Sequence, residues 1–135
     1  MSSREHEIQN EIRNALAGKA LIFRANVGQA WQGSKVDKLP GRKIVIHNAR
    51  PFNTGLPPGF SDTFGLVSEE ITPEWYERNK GKKVAIFVGI EVKDEGKKPT
   101  EKQTNFIGAV NDNGGRAGVA RSVDDAMRIV AGDHA

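Results

Sequence analysis

Ile86, Val88, Ile90 and Val92 alternate along the chain with Phe87, Gly89, Glu91 and Lys93. In an extended chain, side chains at i and i+2 share a face. Residues 84–93 therefore predict a strand with one β-branched face, the other running from Phe87 through bare Gly89 to a carboxylate and an amine. Apolarity on both faces until the last positions predicts a strand covered from both sides. Near the N-terminus the recurrence changes to three and four residues. There Ile8, Ile12, Ala15 and Leu16 predict an amphipathic helix over 4–17, which Gly18 stops.

Between these elements the pattern is shorter. Residues 20–24, 43–47 and 63–67 read as strands, whereas 25–42 and 48–61 are polar or rich in Pro and Gly and read as connections. Thr72 and Pro73 begin a short helix to about Asn79. Thr100 and Gln103 match a capping box, followed by Phe106, Ile107 and Val110 as a buried face and by Gly114-Gly115 as a stop. Residues 116–121 form a further strand. Ser122 then caps a last helix, with Asp124 and Asp125 in its first turn and Val123, Met127 and Val130 expected to face inward. The order is α-β-β-β-α-β-α with an extra helix before the central strand. It predicts a three-layer α/β domain whose sheet is mixed, since its first strands are joined without helices. At 135 residues, this is a single domain over 1–135.

Composition narrows the function. No cysteine is present, which excludes disulfides, thiolate zinc sites and cysteine nucleophiles. No apolar run approaches the roughly 20 residues of a membrane span, and no signal-peptide pattern opens the chain. The expected location is cytoplasmic. Net charge is only +3, but between Gly18 and Phe60 it is concentrated in Lys19, Arg24, Lys35, Lys38, Arg42, Lys43 and Arg50 against the single acid Asp37. Such a stretch suits a polyanion, or is a solvated basic surface. Trp31, between Gln29 and Gln32, is placed either to stack on nucleic acid or to plug the core. Arg24, Trp31, Lys35, Lys38 and Arg42 are the candidate DNA contacts.

The candidate chemistry lies at the end of the central strand. Two charges there must be satisfied at the edge of a core, either for a purpose or by snorkelling into water. Glu95 and Lys97 repeat the Glu-x-Lys spacing in a polar Gly/Pro stretch that fixes nothing, so spacing alone carries little weight. Asp62 opens a strand after a Gly/Pro turn, a place where aspartate also serves the backbone. Glu5 shares the stripe of Ile8 and Ile12, whereas Glu7 and Glu11 lie off it. Asp62 and Glu91, on adjacent strands, can share a hard divalent cation with the main-chain carbonyl of Val92. Lys93 beside them can orient or deprotonate a water and neutralise charge on a phosphate.

Ser61-Asp62 followed by Glu91-Val92-Lys93 resembles the PD-(D/E)xK nuclease signature. With Glu5…Ile8-Gln9, the Gly59-x-Ser-Asp62 loop and Thr100-x-x-Gln103, residues 5 to about 121 resemble the virus-type replication-repair nuclease (VRR-NUC) family. Ser61 stands where that family usually has proline, which alters turn rigidity and not ligand chemistry. The resemblance implies a restriction-endonuclease-like α-β-β-β-α-β core. It implies metal-binding roles for Asp62 and Glu91, an essential Lys93, and supporting roles for Glu5 and Gln103. It further implies Mg²⁺ as cofactor with Mn²⁺ as substitute. The family's small stand-alone members are phage-encoded, which would make the compartment a bacterial cytoplasm. They are homodimers acting on branched DNA. The expectation is an endonuclease selective for structures such as Holliday junctions. The alternatives are a less selective DNase acting on flaps or ends, and an inactive DNA-binding module.

Overall fold

Each helix starts where a hydroxyl can receive an orphan N–H, and this decides the helical boundaries. In the computed structural model, which describes residues 2–133, the side chains of Ser2, Thr72, Thr100 and Ser122 accept from the backbone of the residue three positions on. The elements in order are α1 (Ser3–Leu16), β1 (Leu21–Arg24), β2 (Gln29–Gln32), β3 (Lys35–Leu39), β4 (Lys43–His47) and β5 (Arg50–Asn53). They continue with β6 (Thr63–Leu66), α2 (Pro73–Asn79), β7 (Val88–Val92), α3 (Glu101–Asp112), β8 (Arg116–Ala120) and α4 (Val123–Ala131). The chain is a mixed α/β protein. Among the described residues no helix is long and apolar enough to cross a membrane.

The chain divides into two compact units: residues up to Leu21 with those from Gly65 on, and Ile22–Phe64. In the first, β7 and β8 pair in parallel, with Glu91 opposite Val119 and Val92 opposite Ala120. Gly89 and Ala117 face Phe106 of α3, whereas Gly118 faces Ile129 of α4, so the two helices lie on opposite sides of this ladder, α4 mainly over β8. The core is Val110, Ala117, Ala120 and Ile129. Two glycines permit the close packing. A Cβ on Gly115 would lie 2.6 Å from Val110 Cγ1, and one on Gly118 would lie 3.1 Å from the Ile129 side chain.

Several expectations change. The central strand spans Val88–Val92 and not 84–93. Its partner β8 begins only at Arg116, after Gly114-Gly115 ends α3, and the Arg116 N–H reaches back no further than the Phe87 carbonyl. Nor is β7 covered on both faces, because α4 packs mainly on β8 and leaves Val88, Ile90 and Val92 exposed. In α4 it is Ile129 that is buried, seated over Gly118; Val123, Met127 and Val130 point outward. In α1 the buried position is Gln9, with Ile8 and Ile12 exposed. Phe106 is likewise at the surface, while Val110 is fully buried.

The second unit holds strands where connections were expected. β2 pairs antiparallel with β5, and β3 with β4. Both ladders keep one register: Gln32 faces Arg50 and Lys35 faces His47, three residues further along each strand. Residues 29–53 are thus one long hairpin, turning at Pro40-Gly41-Arg42 and pinned midway where the Ser34 N–H donates to the His47 carbonyl at 2.9 Å. Asn48 Nδ2 donates to Ser34 Oγ at the same distance. Cross-strand pairing, and not alternation within either strand, holds this polar segment extended. β1 pairs with β6, and Phe64 meets the rings of Phe23 and Phe60 at centroid distances of 5.5 and 5.2 Å. The described strands therefore pair as four two-stranded ladders, whereas one mixed sheet was expected.

The small core makes a sharp prediction. Val110→Ala should lower unfolding free energy by about 2 kcal/mol through lost transfer energy and a cavity, read as a lower urea midpoint. Val123→Ala, 78% exposed, should change it by less than about 0.5 kcal/mol.

Candidate active site

Residues of β7 take turns between the α3 face and the α4 face, and Gly89, Glu91 and Lys93 fall on the α3 face. Glu91 and Lys93 are both partly buried, with side chains 31% and 20% exposed. Their charges meet at 3.6 Å, from Lys93 Nζ to Glu91 Oε1. Partial burial strengthens that attraction relative to a pair in open water. Snorkelling is not the arrangement found.

The third member comes from the start of α3. Gln103 Oε1 accepts the Thr100 N–H at 2.8 Å, and the Gln103 N–H donates to Thr100 Oγ1 at 3.2 Å, closing the capping box. The other end of the same side chain, Nε2, donates to Glu91 Oε1 at 2.7 Å. Partner chemistry leaves no choice in the amide's orientation. A backbone N–H requires the oxygen, and a carboxylate requires the NH₂. One glutamine thus serves the helix cap and the strand carboxylate together. Capping and support of Glu91 are not competing explanations for it.

Glu91 Oε1 holds both partners, and among the described residues Oε2 has none. The backbone follows suit. Arg116 N–H bonds the Phe87 carbonyl and Lys93 N–H bonds the Ala120 carbonyl. In a parallel ladder this turns odd-numbered backbone groups of β7 toward β8 and the even-numbered ones, Val92 C=O included, to the opposite edge. Beside the carboxylate lies a pocket of about 320 Å³, lined in part by Gly89, Glu91, Lys102, Gln103 and Phe106. Sequence reasoning missed Lys102 and the pocket, although a bare Gly89 next to two larger residues signalled room there. It also missed Arg121, whose Nη1 donates to the Asp94 carbonyl and braces the chain leaving β7. No local signal marks a partner 27 residues away.

Asp62 belongs to the second unit. Its carbonyl accepts the Ala25 N–H at 2.9 Å, which fixes the backbone beside Arg24. Its exposed carboxylate has no hydrogen-bond or ion-pair partner among the described residues. Arg24, Trp31, Lys35, Lys38 and Arg42 are all exposed, so Trp31 is not a core plug. Glu5 caps its own helix: Oε2 accepts the Ser2 N–H at 2.6 Å, and Ser2 Oγ accepts the Glu5 N–H. Those bonds hold its carboxyl below the usual range. Glu7 meets Arg4 at 3.4 Å. Glu95 and Lys97 are exposed in a turn closed by the Lys97 N–H on the Asp94 carbonyl, and neither makes an ion pair among the described residues. The repeat of the motif lacks the pairing found at Glu91 and Lys93.

A metal is implied by the resemblance. Among the described residues no three His, Asp or Glu side chains are grouped so that they could hold a metal ion. The expected ligand set needs no such group, since it comprises two carboxylates and a main-chain carbonyl. In the first unit, Glu91 Oε2 and the outward Val92 carbonyl are hard oxygen donors of the type Mg²⁺ takes; in the second, the Asp62 carboxylate is another of the same type.

Two stability measurements separate these roles. Thr100→Ala should cost about 1 kcal/mol, the worth of a cap. Gln103→Ala should cost about 1 kcal/mol more, because a part-buried carboxylate also loses its donor. Equal losses in urea titrations would show the Glu91 bond to be idle. For Glu5 the folded pKa lies below the unfolded one. Its contribution is therefore present above the unfolded pKa and lost as pH falls through the folded value. Wild-type stability should accordingly drop in the acid range by an increment that Glu5→Gln lacks.

Compared with known proteins, the chain matches no family model, no curated protein and no solved structure.

Proposed function

We propose that the chain is a Mg²⁺-dependent DNA endonuclease that hydrolyses phosphodiester bonds, selective for branched DNA such as Holliday junctions, and acting as a homodimer. The observation that carries this reading is the Glu91–Lys93–Gln103 cluster. It is a carboxylate with one oxygen anchored and one open, beside a lysine, at the end of a strand. The sequence resemblance to the VRR-NUC family supplies the reaction class, and the cluster supports it because its members are the residues the resemblance singles out.

In this reading Glu91 and the Val92 carbonyl hold the metal, with Mn²⁺ able to replace Mg²⁺, and the sequence resemblance alone makes Asp62 a further ligand. When bound it supplies Lewis acidity at the phosphate and lowers the pKa of water. The remaining work falls to the chain's own groups. Gln103 Nε2 and Lys93 Nζ both approach Glu91 Oε1, so the rotamer that leaves Oε2 open is fixed before substrate arrives. Lys93 keeps its ammonium at the strand end, where it orients the attacking water and offsets the charge that develops on the phosphate. Its side chain is largely buried, which limits the positions the charge can take. Glu5, committed to Ser2, acts through α1 and its cap.

Incubation with four-way junction DNA, with and without Mg²⁺, tests the reading. Asp62→Ala and Glu91→Ala should each lower cleavage on the order of 10³-fold, matching the several kcal/mol a Lewis acid supplies, while DNA affinity holds or rises. Lys93→Ala should lose cleavage too, whereas Lys97→Ala should cleave like wild type. Near-wild-type cleavage by either carboxylate variant would overturn the metal assignment.

Resolving a junction takes two cuts related by a two-fold axis, and a closed dimer is the common way to present two sites. Sedimentation should give a species near twice 14.7 kDa. Mixed dimers of wild type and Lys93→Ala should nick one strand only. A monomer that makes paired symmetric cuts would remove the dimer from the account.

A further inference from the structure

The hairpin of residues 29–53 carries five basic residues, Lys35, Lys38, Arg42, Lys43 and Arg50, against one acid, Asp37. All five are exposed. Asp37 is already engaged, by His47 Nε2 at 2.7 Å and Lys35 Nζ at 3.4 Å. Among the described residues Lys38, Arg42, Lys43 and Arg50 have no carboxylate partner. A fold that wanted only solubility would gain nothing from keeping like charges together on a narrow ribbon, where they repel one another.

Shape adds to charge. Both ladders share one register, so the element is a single two-stranded ribbon and not two unrelated pairs. At about 3.4 Å per residue, its outer ladder of five pairs is roughly 17 Å long. Within that ladder Lys38 and Ile44 share one face, while Lys35 and Lys43 share the other. Arg42, with φ 61°, sits at the turn and ends the ribbon in a guanidinium. Cations are thus available on both faces and at the tip. A body inserted between two rows of phosphates needs that distribution. The major groove of B-form DNA, about 12 Å wide, admits a two-stranded ribbon, whereas the deep, narrow major groove of A-form RNA does not.

We infer that this ribbon is a DNA-engaging arm that enters the major groove of a B-form duplex, with Lys38, Arg42 and Lys43 on the phosphates. The inference rests on the nuclease reading only for the choice of DNA as partner. Its test does not depend on cleavage. Binding of a fluorescein-labelled 20-base-pair duplex is measured in EDTA over a range of salt concentrations. It compares wild type with a Lys38→Ala/Arg42→Gly/Lys43→Ala variant, using Lys97→Ala/Lys98→Ala as control. Glycine is favoured at a positive φ, so the change at position 42 does not work against the turn. Circular dichroism checks that the fold is kept.

The triple variant should bind on the order of tenfold or more weakly. Its slope of log affinity against log salt should be shallower by about 2.7, at about 0.9 for each phosphate that the variant no longer neutralises. The control should match wild type. Wild type should protect guanine N7, a major-groove atom, from dimethyl sulfate, and the triple variant should not. Affinity within about twofold of wild type with an unchanged slope would overturn the inference. So would N7 atoms left reactive under saturating wild type, or an RNA duplex bound as tightly as DNA. A chain that binds through the ribbon yet cuts no DNA would keep the inference and remove the nuclease reading.

Discussion

The hydrogen bond from Gln103 Nε2 to Glu91 Oε1, 2.7 Å long, is the constraint on which the candidate site depends. It joins a helix N-terminus to the end of a parallel strand. Its geometry is set by a capping box that α3 would need in any case. Without it, Glu91 would have only Lys93 at 3.6 Å to hold it, and either oxygen could turn inward. With it, one oxygen is spent and the other is presented. A stability device and a positioning device are the same side chain, which is why neither role alone accounts for glutamine at this position.

The strand beneath this bond is equally constrained. Among the described residues β7 pairs with β8 alone, and β8 is bounded by Gly114-Gly115 and by the Ser122 cap. The five paired positions end at Val92, so Glu91 and Lys93 straddle the point where the ladder stops. Arg121, bonded to the Asp94 carbonyl, then keeps the chain from fraying past that point. Small residues in β8 let α3 and α4 approach the ladder closely, with Ala117 and Ala120 buried and Gly118 under Ile129. Position and rigidity at the site thus come from a modest core with very tight packing.

How much of this was legible in the sequence follows from which signals are local. Caps are local, and Thr72, Thr100 and Ser122 marked the starts of three helices that form where expected. The pairing of Glu91 with Lys93 on one face follows from two-residue alternation, and it is found. Burial is not local. The stripe Val123, Met127 and Val130 obeyed helical spacing yet faces outward, because the seat on the sheet is made by Gly118, which spacing within α4 does not reveal. The hairpin was missed for the same reason. Lys35–Leu39 is polar and irregular by itself and is extended only through its register with Lys43–His47. The bridge from Gln103 to Glu91 was foreseen in its members but not in its bond, which needs two elements brought together.

In the proposed nuclease the metal is held by the open oxygen of Glu91 at the end of β7. Titration of ¹⁵N-labelled protein with Mn²⁺ tests it most directly, without DNA and without turnover. Paramagnetic broadening should appear first at the side-chain amide of Gln103 and the backbone amides of Val92 and Lys93, and Glu91→Gln should abolish it. Broadening that begins instead at Glu95–Lys97 or at Asp124 and Asp125, and survives Glu91→Gln, would contradict the claim.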